Sequence, residues 1–98
     1  MSAQTFRAFA MAIQAGDTTE AGTILSKLLD VSNATGQLAA SYFNSKLEFE
    51  PDLFSDVMQI RKEILEEKHN DALFLIDKCF KLSGLEALQA LESMRKLA

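Results

Sequence analysis

The sequence predicts an all-α fold, a small bundle or right-handed stack of antiparallel helical hairpins with five or six helices in a single domain. Three observations carry that expectation. The 98 residues include one proline and four glycines, too few for a turn-rich β protein. Hydrophobic residues make up 48 % of the chain, which excludes disorder and supports one core at this length. Apolar residues recur at helical spacing, and no segment alternates apolar and polar residues as a half-buried strand would.

The elements follow in order. Residues 4–15 place Phe6, Phe9, Ala10 and Ile13 on one helical face, and Gly16 suits the left-handed position that ends such a helix. Asp17 then caps a second helix, with Glu20 three residues on completing a capping-box pattern. Ala21, Ile24, Leu25, Leu28 and Leu29 are its buried stripe. So short a connection forces the two helices into an antiparallel hairpin. Ser32 or Asn33 caps a third helix, about Ala34 to Leu47, with Leu38, Ala39, Tyr42 and Phe43 on its apolar side. Gly36 in its first turn weakens it by about 1 kcal/mol relative to alanine.

The fourth helix is expected to start at Pro51, whose missing N–H costs little in a first turn. Asp52 suits the positive end of its dipole. It carries Leu53, Phe54, Val57, Met58, Ile60, Ile64 and Leu65 and runs to about Lys68. His69 and Asn70 form the break, and Asn70 caps a fifth helix bearing Ala72, Leu73, Ile76, Cys79 and Phe80. Phe74, Leu75 and Leu82 lie off that stripe, so this helix is apolar over more than one face, as a central or partner-facing element is. Ser83, with Glu86, caps a last helix lined by Leu85, Leu88, Leu91 and Met94.

Composition narrows the function. A single cysteine, Cys79, permits no internal disulfide, which fits a reducing compartment. Cys79 lies in an apolar stripe between Lys78 and Lys81 and reads as a packing thiol. No apolar run reaches the roughly 20 residues of a membrane helix. The apolar stretch Phe9–Ala15 is interrupted by Gln14, unlike a signal peptide. A cytoplasmic protein with its native start at Met1 and no membrane partner is therefore expected. The net charge of −4 argues against binding a phosphate backbone.

Two stretches resemble the second helix of a tetratricopeptide repeat. Gly16-Asp17-Thr18-Thr19-Glu20-Ala21, followed by Leu25, Leu28 and Leu29, is similar to that family's turn, small residue and apolar positions. Glu67 to Ser83, with Ala72, Ile76 and Cys79 in equivalent slots, looks alike. Together they cover about a third of the chain. The resemblance implies helical hairpins and peptide or protein binding in a groove, without catalysis.

Charge is unevenly placed. Residues 1–47 hold three acids and three bases and residues 57–98 seven of each, so the whole −4 falls on Glu48, Glu50, Asp52 and Asp56. Phe49, Leu53 and Phe54 are interleaved with these acids. Such a segment steers a basic partner electrostatically and anchors it by burial. The same residues also describe an ordinary helix start with its aromatics in the core. The leading expectation is a non-catalytic interaction module (an adaptor, small regulator or secretion-type chaperone). Its anchors would be Phe49, Phe54 and Phe74, its rim Glu48, Glu50, Asp52 and Asp56, and its partner a protein or peptide with a basic surface. The last helix, Leu85 to Leu97, offers a homodimer face.

Other chemistries have less behind them. Glu66 and His69 have the Glu-x-x-His spacing of di-iron bundles, but such sites need a second histidine. No metal or cofactor is therefore expected. A phosphorelay or small-enzyme element using His69 is the first alternative, resting on chain size and fold class. A helical DNA-binding regulator is the second, although no helix is rich in Arg, Asn and Gln as a recognition helix is.

Overall fold

The computed structural model describes residues 3–97. The expected start at Met1 lies outside them. Among the described residues six helices form the fold: α1 (Ala3–Gln14), α2 (Thr18–Leu29), α3 (Asn33–Leu47), α4 (Leu53–Leu65), α5 (His69–Phe80) and α6 (Gly84–Leu97). No strand occurs among the described residues, and no helix is long and apolar enough to cross a membrane. α1 packs on α2, α2 on α3, α4 on α5 and α5 on α6, with α2 against α3 and α4 against α5 the most extensive pairings, whereas α3 and α4 touch only slightly. Contacts of α6 with α2 and α4, and of α5 with α3, close the bundle.

Local rules explain most of the helix ends. The Asp17 carboxylate accepts the Glu20 N–H at 3.1 Å and starts α2. Ser32 Oγ accepts the Thr35 N–H at 3.1 Å and starts α3. At the end of α1, Gly16 has φ +76°, its N–H reaches Ile13 O, and the Asp17 N–H reaches Ala12 O. That pair of bonds is a Schellman stop.

The α4–α5 boundary departs from the expectation. α4 stops at Leu65 rather than Lys68, because Glu67 takes the left-handed conformation with φ +59°. Its N–H bonds to Ile64 O and that of Lys68 to Glu63 O, the same Schellman pattern without a glycine. The break is therefore 66–68, and α5 already begins at His69, so Asn70 is inside the helix and not its cap. Pro51 also lies ahead of α4, in the turn that the Leu53 N–H closes on Glu50 O at 3.1 Å. Asp52 is the N-cap residue, although its side chain makes no cap bond. Ser83 precedes α6 without a side-chain bond to Glu86 among the described residues, and Gly84 takes φ +61°.

An aromatic cluster forms the centre of the core. Phe9, Phe43 and Phe80 are fully buried and meet ring to ring. Phe54 joins through Phe43, and Phe6 through Phe54. Two helices are rotated relative to the expected stripes. Ala40 is buried on α3 while Leu38 is exposed, and α6 buries Ala87, Ala90, Leu91 and Met94 while Leu85 and Leu88 face outward. Small residues inward let these helices approach their neighbours closely. Ser93 Oγ on α6 donates to Leu28 O at 2.8 Å, satisfying a carbonyl of the last turn of α2.

Candidate functional site

The acidic segment forms the corner between α3 and α4, and the structure brings cations to it. Lys78 on α5 reaches Asp56 at 2.8 Å and Glu50 at 3.6 Å. Hydrogen bonding to Asp56 holds the Lys78 ammonium above its ordinary pKa of 10.5. Lys46 donates to Lys78 O at 2.9 Å, placing a positive charge at the C-terminal end of α5. Glu50 and Asp56 are thus half-buried and share the single Lys78 cation, whereas Glu48 and Asp52 are exposed and form no ion pair among the described residues. The rim read from the sequence is two free carboxylates, not four.

The three aromatic anchors separate in the same way. Phe49 is 83 % exposed and Phe74 69 % exposed. Phe54 is half-buried, edge-on to Phe43 at 5.1 Å and to Phe6 at 6.3 Å, so it belongs to the core.

Phe74 borders a cleft of about 470 Å³ between α5 and α6, lined also by Leu73, Asp77, Leu82, Ala87 and Leu88. A second cleft, about 430 Å³, opens on the other side of Leu82, with Leu38, Tyr42, Lys81 and Glu86 in its wall. Three large apolar side chains accompany Phe74 on this end of the molecule: Leu85 at 78 %, Leu38 at 73 % and Leu88 at 50 % exposure. Phe74 and Leu88 line the first cleft and Leu38 the second, and exposed apolar side chains grouped around recesses are the kind of surface that takes part in docking. No family model, curated protein or solved structure matches this chain. The geometry alone carries the functional argument.

Sequence reasoning found Phe74 and offered the last helix, Leu85 to Leu97, as a homodimer face, but set Leu38, Leu85 and Leu88 in the apolar stripes of their helices. A signal existed for α6: Ala87, Ala90, Leu91 and Met94 form a helical stripe of their own, competing with Leu85, Leu88, Leu91 and Met94.

The remaining reactive groups lie apart from this face. His69 is the first residue of α5, half-buried in a shallow depression with Ile64, Leu65, Glu67 and Arg95. Among the described residues no three His, Cys, Asp or Glu side chains converge as metal ligands do. Cys79 is fully buried, and burial pushes its thiol up from 9.0 to about 12, with the Asp56 charge adding to the effect. Lys78 and Lys46 pull it down, but burial outweighs them. The folded thiol should therefore resist alkylation at pH 8 and react only once the chain unfolds. Because the folded value lies above the unfolded one, Cys79 contributes stability that is complete below pH 9 and lost as pH rises toward 12. Denaturation midpoints measured across that window should fall less steeply for Cys79→Ala than for the parent chain.

Proposed function

We propose that this chain is a non-catalytic protein–protein interaction module, of the adaptor, small regulator or secretion-chaperone kind, that docks its partner on the α5–α6 face. One observation carries the reading: Phe74, Leu85 and Leu88 project into solvent beside an apolar cleft of side-chain size. Docking an apolar side chain there removes the exposed rings and methyl groups from water, and exposed aromatics bordering a recess are what interface anchors look like. The helical-hairpin resemblance to tetratricopeptide repeats agrees with groove binding. Phe49, between the unpaired Glu48 and Asp52, supplies a second contact point for a partner carrying cations. A homodimer through α6 uses the same face as the cleft.

The test is photocrosslinking in the native host. A photoreactive phenylalanine analogue incorporated at position 74 or 88 is expected to give a discrete adduct. The same analogue at Arg61, exposed on α4, should give none. No adduct at 74 or 88 above the Arg61 background overturns the docking reading.

A further inference from the structure

We infer that the docking face receives a second copy of this chain, in a two-fold contact that sets Lys81 of each copy against Asp77 and Glu86 of the other. The inference rests on the docking reading above and names its occupant.

Shape is the first argument. A two-fold contact uses one patch twice, so the patch must be complementary to itself. This one has projections and recesses side by side: Leu38, Phe74, Leu85 and Leu88 stand out, and two clefts flank the buried Leu82 between them. The depression between α1 and α4 also sets exposed side chains, Met11 and Met58, beside a recess, but Arg7 is the one charge among its described lining residues, so it offers a second copy no acid to match its cation.

Charge is the second argument, and it selects among occupants. Asp77 stands in the wall of one cleft, and Lys81 and Glu86 in the wall of the other. None of the three forms an ion pair among the described residues. A wholly basic partner would confront Lys81 with a like charge, and a wholly acidic one would confront Asp77 and Glu86. A second copy brings a cation to the acids and acids to the cation, and symmetry makes the match twice.

The cation also has an aromatic neighbour. Lys81 has left-handed backbone at φ +55°, its N–H bonds to Asp77 O, and its ammonium lies over the Tyr42 ring at 5.9 Å. An ordered cation loses less freedom on pairing than a freely moving one.

Sedimentation velocity of the purified chain is expected to show a particle of twice the chain mass at about 100 µM. Leu85→Glu and Leu88→Glu should each return it to the single-chain mass while leaving helical signal and thermal midpoint in place, because both sites are exposed. Lys81→Glu should weaken pairing about tenfold or more. Mixing that variant with the double variant Asp77→Lys, Glu86→Lys should restore pairing as a heterodimer. A parent chain that sediments as a monomer, or a dimer indifferent to both leucine substitutions, overturns the inference. A monomer that still yields an adduct with a different protein at position 74 overturns the second copy alone. A monomer with no adduct at all overturns the docking reading as well.

Discussion

Phe43→Ala is expected to destabilise the fold by about 3–5 kcal/mol, the usual cost of emptying a fully enclosed aromatic site. Phe43 is buried on α3 and touches three other rings: Phe9 at 5.1 Å, Phe54 at 5.1 Å and Phe80 at 5.8 Å between centroids. Those rings come from α1, α4 and α5, so the substitution loosens four helices at once. A domain of this size holds together by about 5–15 kcal/mol, and the loss is a large part of it. Urea unfolding followed by circular dichroism gives the number. Phe43→Leu, which refills much of the space, should lose less. Phe74→Ala and Phe49→Ala should change stability by no more than about 0.5 kcal/mol, since both rings are exposed. The contrast separates the aromatics that build the fold from those left for docking. A loss below about 1 kcal/mol at Phe43 would show that the aromatic cluster does not centre the core.

What could be read in advance follows from the range of the forces involved. Gly16 and the Asp17–Glu20 cap were legible because a helix end is decided within a few residues. The end of α4 was not, since its left-handed residue is Glu67 rather than glycine, and nothing in Glu66-Glu67-Lys68 announces that backbone. Asp30 and Lys81 are further non-glycine examples. The site was legible only in part, for a different reason. The partner of Asp56 is Lys78, 22 positions away, and only the packing of α4 on α5 brings them together. Charge counted along the chain therefore overstated the free acidic rim. The face of α6 was ambiguous in principle: two apolar stripes share Leu91 and Met94, and the one that also carries Ala87 and Ala90 faces the core. Leu85 and Leu88 became surface by that choice.

Gly36→Ala has the opposite sign to what helix propensity predicts. Propensity alone makes alanine better than glycine inside α3 by about 1 kcal/mol. The structure puts Gly36 where α3 lies tightest on α2. A Cβ there would meet Gly22 O at 2.6 Å, Ser26 Cβ at 2.7 Å and Ser26 N at 2.9 Å. Two of those three atoms are backbone, so relief requires α2 and α3 to move apart, and this is the most extensive helix pairing in the fold. Overpacking of that kind costs about 1–3 kcal/mol, and the net result is a loss. Gly22→Ala provides the control on the facing helix. The three atoms nearest its Cβ would all belong to the amide end of Gln37, from 2.5 Å, and that side chain can swing away. Swinging gives up the Gln37 bond to Thr19 O at 2.9 Å, worth about 1 kcal/mol, which the propensity gain of about 1 kcal/mol offsets. Denaturation midpoints should therefore drop for Gly36→Ala and stay near the parent value for Gly22→Ala. If Gly36→Ala instead raised the midpoint, α2 and α3 would have room between them, and the close approach that keeps glycine at position 36 would have to be abandoned.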